Sequence, residues 1–397
     1  MKSAVKRRTS AVARSTRSNG ASAKPAVALL VGTQKGAWMY HSDASRTRWT
    51  VDGPHFLGHI INHVVLDPRD RTTLLAAAKT GHLGPTIFRS TDAGRTWKEA
   101  ARPPVFGKFP EGWPAYSVDF SFHLAPGHPS EPGVWWAGTC PPGLFRSDDG
   151  GVTWVEVEGF NRHPMYPKWG ALSPNSPWGS MVQWITIDPR ESRHIYIVTS
   201  EGGVFETSDG CANWRPLNKN VEATFLPDPY PEFGQDTHCL QIHPQHPDRL
   251  YQQNHCGIYR LDRPGEEWVR IGRNMPKEIG DIGFGIVLHP RDPDTAWVFP
   301  MDGTEVWPRT ALEGKPAVYR TRDGGANWER QDRGLPRDNA WYTVLRQAFV
   351  HDGRDPLGIY FGTTSGELWM SRNEGQSWTQ IAAHLQRILS VTPATFT

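Results

Sequence analysis

Five segments of this chain close on tryptophan in the same way. Ser90 to Trp97 reads STDAGRTW, Ser147 to Trp154 SDDGGVTW, Thr207 to Trp214 TSDGCANW, Thr321 to Trp328 TRDGGANW and Ser371 to Trp378 SRNEGQSW. The shared frame is [S/T]-x-[D/N]-x-G-x-[T/S/N]-W, with Cys211 in the Gly place of the Thr207 copy. Worn copies run from His41 to Trp49 and from Leu261 to Trp268, keeping the closing Trp and scattered turn residues. An internal repeat outranks other signals, because each copy marks one structural unit. The frame suits a hairpin turn. Asp and Ser/Thr side chains bond backbone groups just ahead of them. Gly supplies a positive φ, and Trp is a large apolar anchor with one N–H to satisfy.

A short strand ending on an aromatic residue precedes each turn, at Trp38, Phe88, Phe145, Phe205, Tyr259, Tyr319 and Trp369. These positions step by 50, 57, 60, 54, 60 and 50 residues, spacings that fit a four-stranded propeller blade plus loops. Upstream lies a second regular pair, strand, D/H-P turn, strand, as in VVLDPRDRTTLLAAA from Val64 and CLQIHPQHPDRLYQQN from Cys239. Proline fits such turns, since it cannot donate to a ladder and pre-sets φ. His243 and His289 occupy the Asp slot of this turn and read as turn residues. Each unit is therefore first strand, D/H-P turn, second strand, short loop, third strand, Trp-closed turn, fourth strand.

The Trp-closed frame is that of the Asp-box, or BNR repeat. The chain resembles the Asp-box β-propellers: sialidases, sortilin-type receptors, reducing-end xyloglucan hydrolases and photosystem II assembly factors. It looks most like bacterial BNR proteins labelled exo-α-sialidase or glycosyl hydrolase. The resemblance covers nearly everything after the first two dozen residues. It implies an all-β, seven-bladed β-propeller over residues 25–397.

The first unit lacks its first strand, while Arg387 to Pro393 reads as an inner strand with nothing left to pair. We expect this tail to close the ring against the strand that begins at Val27, because an open propeller exposes sheet edges. Residues 1–24 carry seven Lys/Arg and no acid within a total formal charge of +2, which leaves the remainder at −5. A mildly acidic body is a poor nucleic-acid platform, and no run is long enough to span a bilayer. The leader has no apolar core and reads as a disordered tail rather than a secretory signal. The four cysteines, Cys140, Cys211, Cys239 and Cys256, are too few for a disulfide framework and suggest free thiols in a reducing, cytoplasmic setting.

Topology places the loops between second and third strands, with the connections between units, at one mouth of the axial channel. The longest loops, 103–115, 160–179, 218–235 and 302–315, gather there, where a rigid scaffold carries function. Small polar residues recur at the second-strand ends (Thr33, Thr80, Thr139, Thr199, Asn254, Thr363), and Asn62-His63, Gln183-Trp184, His238-Cys239 and Arg346-Gln347 mark first-strand ends. Lys35, Glu201, His238, His255, Asp302 and Arg346 are the expected contacts to a polar small molecule, glycan or protein segment. His238-Cys239 and His255-Cys256 contain zinc-type ligands. Successive strand residues point to opposite faces, so the four do not converge, and neither metal nor cofactor is expected.

Glycosidase chemistry asks for two carboxylates across a cleft. Mouth-side acids are Glu111, Glu201, Glu232, Asp236, Asp281, Asp302 and Glu305; Glu201, Asp236 and Asp302 sit at or beside strand ends and are the catalytic candidates. Sialidases share an F/Y-R-I-P motif that the corresponding Val31-Gly32-Thr33-Gln34-Lys35-Gly36 lacks, and of their arginine triad only Arg346 and Arg309 have counterparts at the mouth. Three readings follow: recognition of a polar ligand, a glycoside hydrolase, and a scaffold resembling the photosystem II assembly factors.

Overall fold

The computed structural model describes residues 27–169, 180–303 and 308–397; the basic leader, much of the 160–179 loop and Glu305 lie outside them. The described residues form seven four-stranded antiparallel sheets arranged as the blades of a propeller. Six blades are continuous in sequence. The second runs Ile60–Leu66, Leu74–Thr80, Gly84–Ser90, Lys98–Glu99, and the fifth Thr237–Ile242, Arg249–Asn254, Gly257–Asp262, Val269–Arg270. The first is composite: Ile388–Ala394 pairs with Val27–Thr33, from Ala28 opposite Ala394 to Thr33 opposite Ile388. The expected closure is present. Arg46 of the first blade and Asp352 of the seventh, their side chains buried, add a 2.9 Å ion pair between these two blades.

The repeated turn is built as its residues suggest. In the third blade Ser147 Oγ accepts from Gly151 N at 2.9 Å, and Asp149 accepts from Thr153 N at 2.9 Å and Thr153 Oγ1 at 2.6 Å. The same bonds recur around Ser90 and Asp92, Thr321 and Asp323, and Ser371 with Asn373 in the Asp position. Trp154, Trp214, Trp268 and Trp378 are buried between blades. The D/H-P turns work alike: Asp67 accepts from Arg69 N, and His243 Nδ1 from His246 N. From these turns Arg69, Arg190 and Arg291 reach acceptors in the following blade. The blades are thus stitched at the rim by arginines and between sheets by aromatic packing.

The centre differs. Every innermost strand shifts register near its mouth end. A bulge adds a residue on one strand, re-aims a side chain and bends the strand. Here the residues left out of the ladder include Leu389, Asn62, Phe122, Gln183, His238, Phe284 and Arg346, one for each blade. Glycine on three second strands allows the next blade to come close at this level. A Cβ on Gly32 would stand 2.6 Å from Ile61 O, one on Gly138 2.7 Å from Val182 O, and one on Gly362 2.4 Å from Ile388 Cγ2.

Candidate functional site

All seven re-aimed side chains line one cavity of about 780 Å³ at the mouth of the channel. Two residues earlier in sequence, at or just before the start of the same strands, Ile60, Phe120, Met181, Asp236 and Arg387 line it too. The bulge therefore delivers one residue per blade to the axis, while the residue after it turns into the blade. Cys239 is fully buried behind His238, and His63 lies behind Asn62 against His123 with ring centroids 5.0 Å apart. A smaller cavity of about 240 Å³ sits beside Leu66, Pro68, Arg71 and Asp352, at the D/H-P turns.

The most polar quadrant of the mouth belongs to the fifth blade. Asp236 Oδ2 lies 3.2 Å from His238 Nε2 and 3.8 Å from His255 Nδ1. Gln183 Nε2 donates to Asp236 Oδ1 at 3.2 Å, and His238 Nδ1 donates to Gly283 O at 2.7 Å. The imidazoles are buried, while the carboxylate keeps a quarter of its surface exposed to the cavity. Burial by itself raises the Asp236 pKa, but His238, then His255 and Arg346, hold it well below the usual carboxylate range. Burial lowers His255 to about 4 against the pull of Asp236.

Arg346 faces this group from the seventh blade. Its guanidinium lies 4.9 Å from the ring centroid of Phe284 and 5.4 Å from that of Phe122. Its Nε is buried without a hydrogen-bond partner among the described residues. Burial brings its pKa down to about 10, with Asp236 opposing. A stacked guanidinium with donors to spare is a ready partner for hydroxyl or anionic oxygens. Glu201 enters the cavity from the loop between Ile195–Thr199 and Gly203–Thr207, at a left-handed φ of 61°. Arg309, at φ 56°, lines the cavity from the 302–315 loop.

Of the residues singled out from sequence, Glu201, Asp236, His238, His255 and Arg346 share this cavity, and Lys35 and Asp302 are not part of its lining. Lys35 sits in a hairpin turn whose preceding residue, Gln34, takes the inward place. Asp302 is tied back into its own loop by its backbone N–H, which donates to Thr310 O at 2.8 Å. The recurring Thr residues also have a different use from a ligand ring. Thr33 and Thr80 each donate to a glycine carbonyl of their own hairpin at 2.8 Å, and Thr139 to Pro141 O. Asp281 is held in a two-pronged pair with Arg270 at 2.8 Å and 2.8 Å. The aromatic wall of Phe120, Phe122 and Phe284 was not legible, since an apolar residue in an apolar strand looks like core; Phe225 joins it from the 218–235 loop. The glycines of the Gly32-Thr33, Gly138-Thr139 and Gly362-Thr363 pairs were the available hint, because isolated strand glycine marks a bulge or a close backbone approach.

His238 and His255 converge with Asp236 rather than with the cysteines. Cys256 Sγ lies 3.4 Å from Thr224 Oγ1, and all four thiols are unpaired and buried. No helix among the described residues is long and apolar enough to cross a membrane.

No protein-family model matches the chain. Its sequence is 24% identical over 292 residues to xyloglucanase Xgh74A of Acetivibrio thermocellus, covering 68% of this chain and 32% of that protein. It is 25% identical over 354 residues to a probable oligoxyloglucan-reducing end-specific xyloglucanase of Neosartorya fischeri, covering 79% and 38%. The chain thus spans roughly a third of the length of these curated relatives. Among solved structures, the GH74 xyloglucanase from Xanthomonas campestris superposes with a TM-score of 0.64 at 20% identity, over 91% of this chain and 53% of that one. Likeness at that identity speaks to the fold alone. The similarities run to xyloglucanases rather than to sialidases, in keeping with the missing arginine motif of the first strand.

Proposed function

We propose that the channel mouth binds a glycan and hydrolyses it, with Glu201 and Asp236 as the paired carboxylates. One observation carries this reading: two acids, Glu201 and Asp236, line a single cavity that also presents aromatic side chains, amides, hydroxyls, imidazoles and cations. Sugar rings present flat C–H faces to aromatic walls and hydroxyls to their rims. Phe120, Phe122 and Phe284 serve the first, and Asn62, Gln183 and Arg346 the second. In glycoside hydrolysis one carboxyl protonates the leaving oxygen and the other works as a base or nucleophile. Glu201 takes the donor's part, and Asp236, flanked by His238 and Arg346, the carboxylate's. The similarity to xyloglucanases supports hydrolysis over recognition alone, and makes xyloglucan oligosaccharides the first substrates to offer.

The test is the release of new reducing ends from xyloglucan and its oligosaccharides by the wild type and by Glu201→Gln. Removing a proton donor typically costs about 10² to 10⁴ in rate. We expect a fall of at least about 100-fold with an unchanged melting temperature. Equal activity in the variant sinks the assignment of Glu201. Binding without turnover across a wide glycan panel would leave recognition as the function, and neither binding nor turnover would reject the glycan altogether.

A further inference from the structure

We propose that Asp236, His238 and His255 form a binding site for a divalent first-row transition metal at the channel mouth. Their donor atoms, one carboxylate oxygen and two imidazole nitrogens, all lie within 4.8 Å of one another. Donors bound about 2.1 Å from one cation stand about 3.0 to 3.4 Å apart. Asp236 Oδ2 is 3.2 Å from His238 Nε2 and 3.8 Å from His255 Nδ1, so small side-chain rotations complete the set.

The surroundings are those of a metal ligand set. Metal-binding histidines almost always donate the other ring N–H to a carbonyl, carboxylate or water. His238 does so through Nδ1 to Gly283 O at 2.7 Å, which presents Nε2 to the carboxylate. Gln183 holds the other carboxylate oxygen at 3.2 Å and so fixes which one faces the histidines. The bulge between Thr237 and Cys239 is what turns His238 to the channel. Three ligands leave positions open, and the open side is the cavity. Two imidazoles with one carboxylate suit zinc or iron(II).

The guanidiniums of Arg346 and Arg309 line the same cavity and oppose a bare dication. The shell is therefore completed by an oxygen ligand, a carboxylate or phosphate that the arginines also hold, or water. This inference does not rest on the glycan reading, since metal binding is measured without a sugar. With a cation in place Asp236 acts as its ligand, so the hydrolytic pair of Glu201 and Asp236 belongs to the metal-free chain.

The experiment uses the untagged full chain, stripped with a chelator and titrated with Zn²⁺, Mn²⁺ and Co²⁺ by calorimetry, with bound metal counted by mass spectrometry. We expect one ion per chain, bound at least tenfold more weakly by Asp236→Asn and by His238→Gln, and unchanged in His384→Gln. Should either ligand variant fail to fold, X-ray absorption on the Zn²⁺- or Co²⁺-loaded wild type decides, and two imidazole nitrogens in the shell are expected. A wild type that binds no stoichiometric ion even at about 1 mM, the weak end of the range of protein cation sites, overturns the proposal. So does affinity equal in both ligand variants, or a shell without imidazole.

Discussion

At the scale of the residue, the decisive fact is alternation. A side chain that enters the channel has a neighbour that enters the blade, so Asn62 meets the cavity while His63 meets His123. Both histidines are buried, and His63 Nδ1 accepts from Leu124 N at 3.1 Å, a role for a neutral ring. Burial lowers the pKa of His63 to about 3, and burial with His63 nearby lowers that of His123 well below its ordinary value. Depressed histidines mean that the unfolded chain takes up protons which the folded chain refuses. Stability from this pair is therefore complete above about pH 6.5 and is lost as pH falls from there, for His63 toward about 3. Each such group contributes a slope near 1.4 kcal/mol per pH unit within that window. Urea unfolding of His123→Gln between pH 6 and pH 4.5 should show a shallower loss than wild type by about one proton. Identical slopes would mean that His123 is charged or solvated in the fold.

At the scale of the element, the innermost strand does two jobs: it pairs with its neighbour, and it breaks register to serve the channel. The seventh such strand, Ile388–Ala394, comes from the far end of the chain and is buried against Val27–Thr33. Without it the first blade shows an unpaired edge of buried residues, a template for association with other chains. Removing 388–397 should yield protein that is insoluble or that unfolds without a cooperative transition; a truncated chain melting cooperatively at the wild-type temperature would contradict this. The blades and their closure were legible because a Trp-closed turn recurs in each unit and a D/H-P-type turn in each unit after the first, which left one inner strand to be supplied by the chain's far end. The bulges were not, because an extra residue leaves no mark on an apolar strand. Polar bulge residues such as Asn62, Gln183, His238 and Arg346 stood out by type, whereas Phe122, Phe284 and Leu389 passed for core. Thr33, Thr80 and Thr139 misled for the opposite reason, since their hydroxyls are spent on their own hairpins.

At the scale of the whole molecule, seven sheets closed into a ring hold a mouth whose shape no single loop determines. The rim arginines and buried Trp residues stiffen the ring, and the bulges deliver chemistry to its axis. One quadrant concentrates charge, with Asp236, His238 and His255 facing Arg346, and Glu201 enters from the blade before it. The central claim is that function resides at this end of the channel and not at the end that carries the repeated turns. Backbone hydrogen exchange in the presence of a saturating xyloglucan oligosaccharide tests it most directly. The account predicts protection around Glu201, in Asp236 to Cys239 and in Val344 to Gln347, with exchange unchanged in the turns at Gly94, Gly151 and Gly325. Protection confined to those turns, with the mouth exchanging as before, would contradict it.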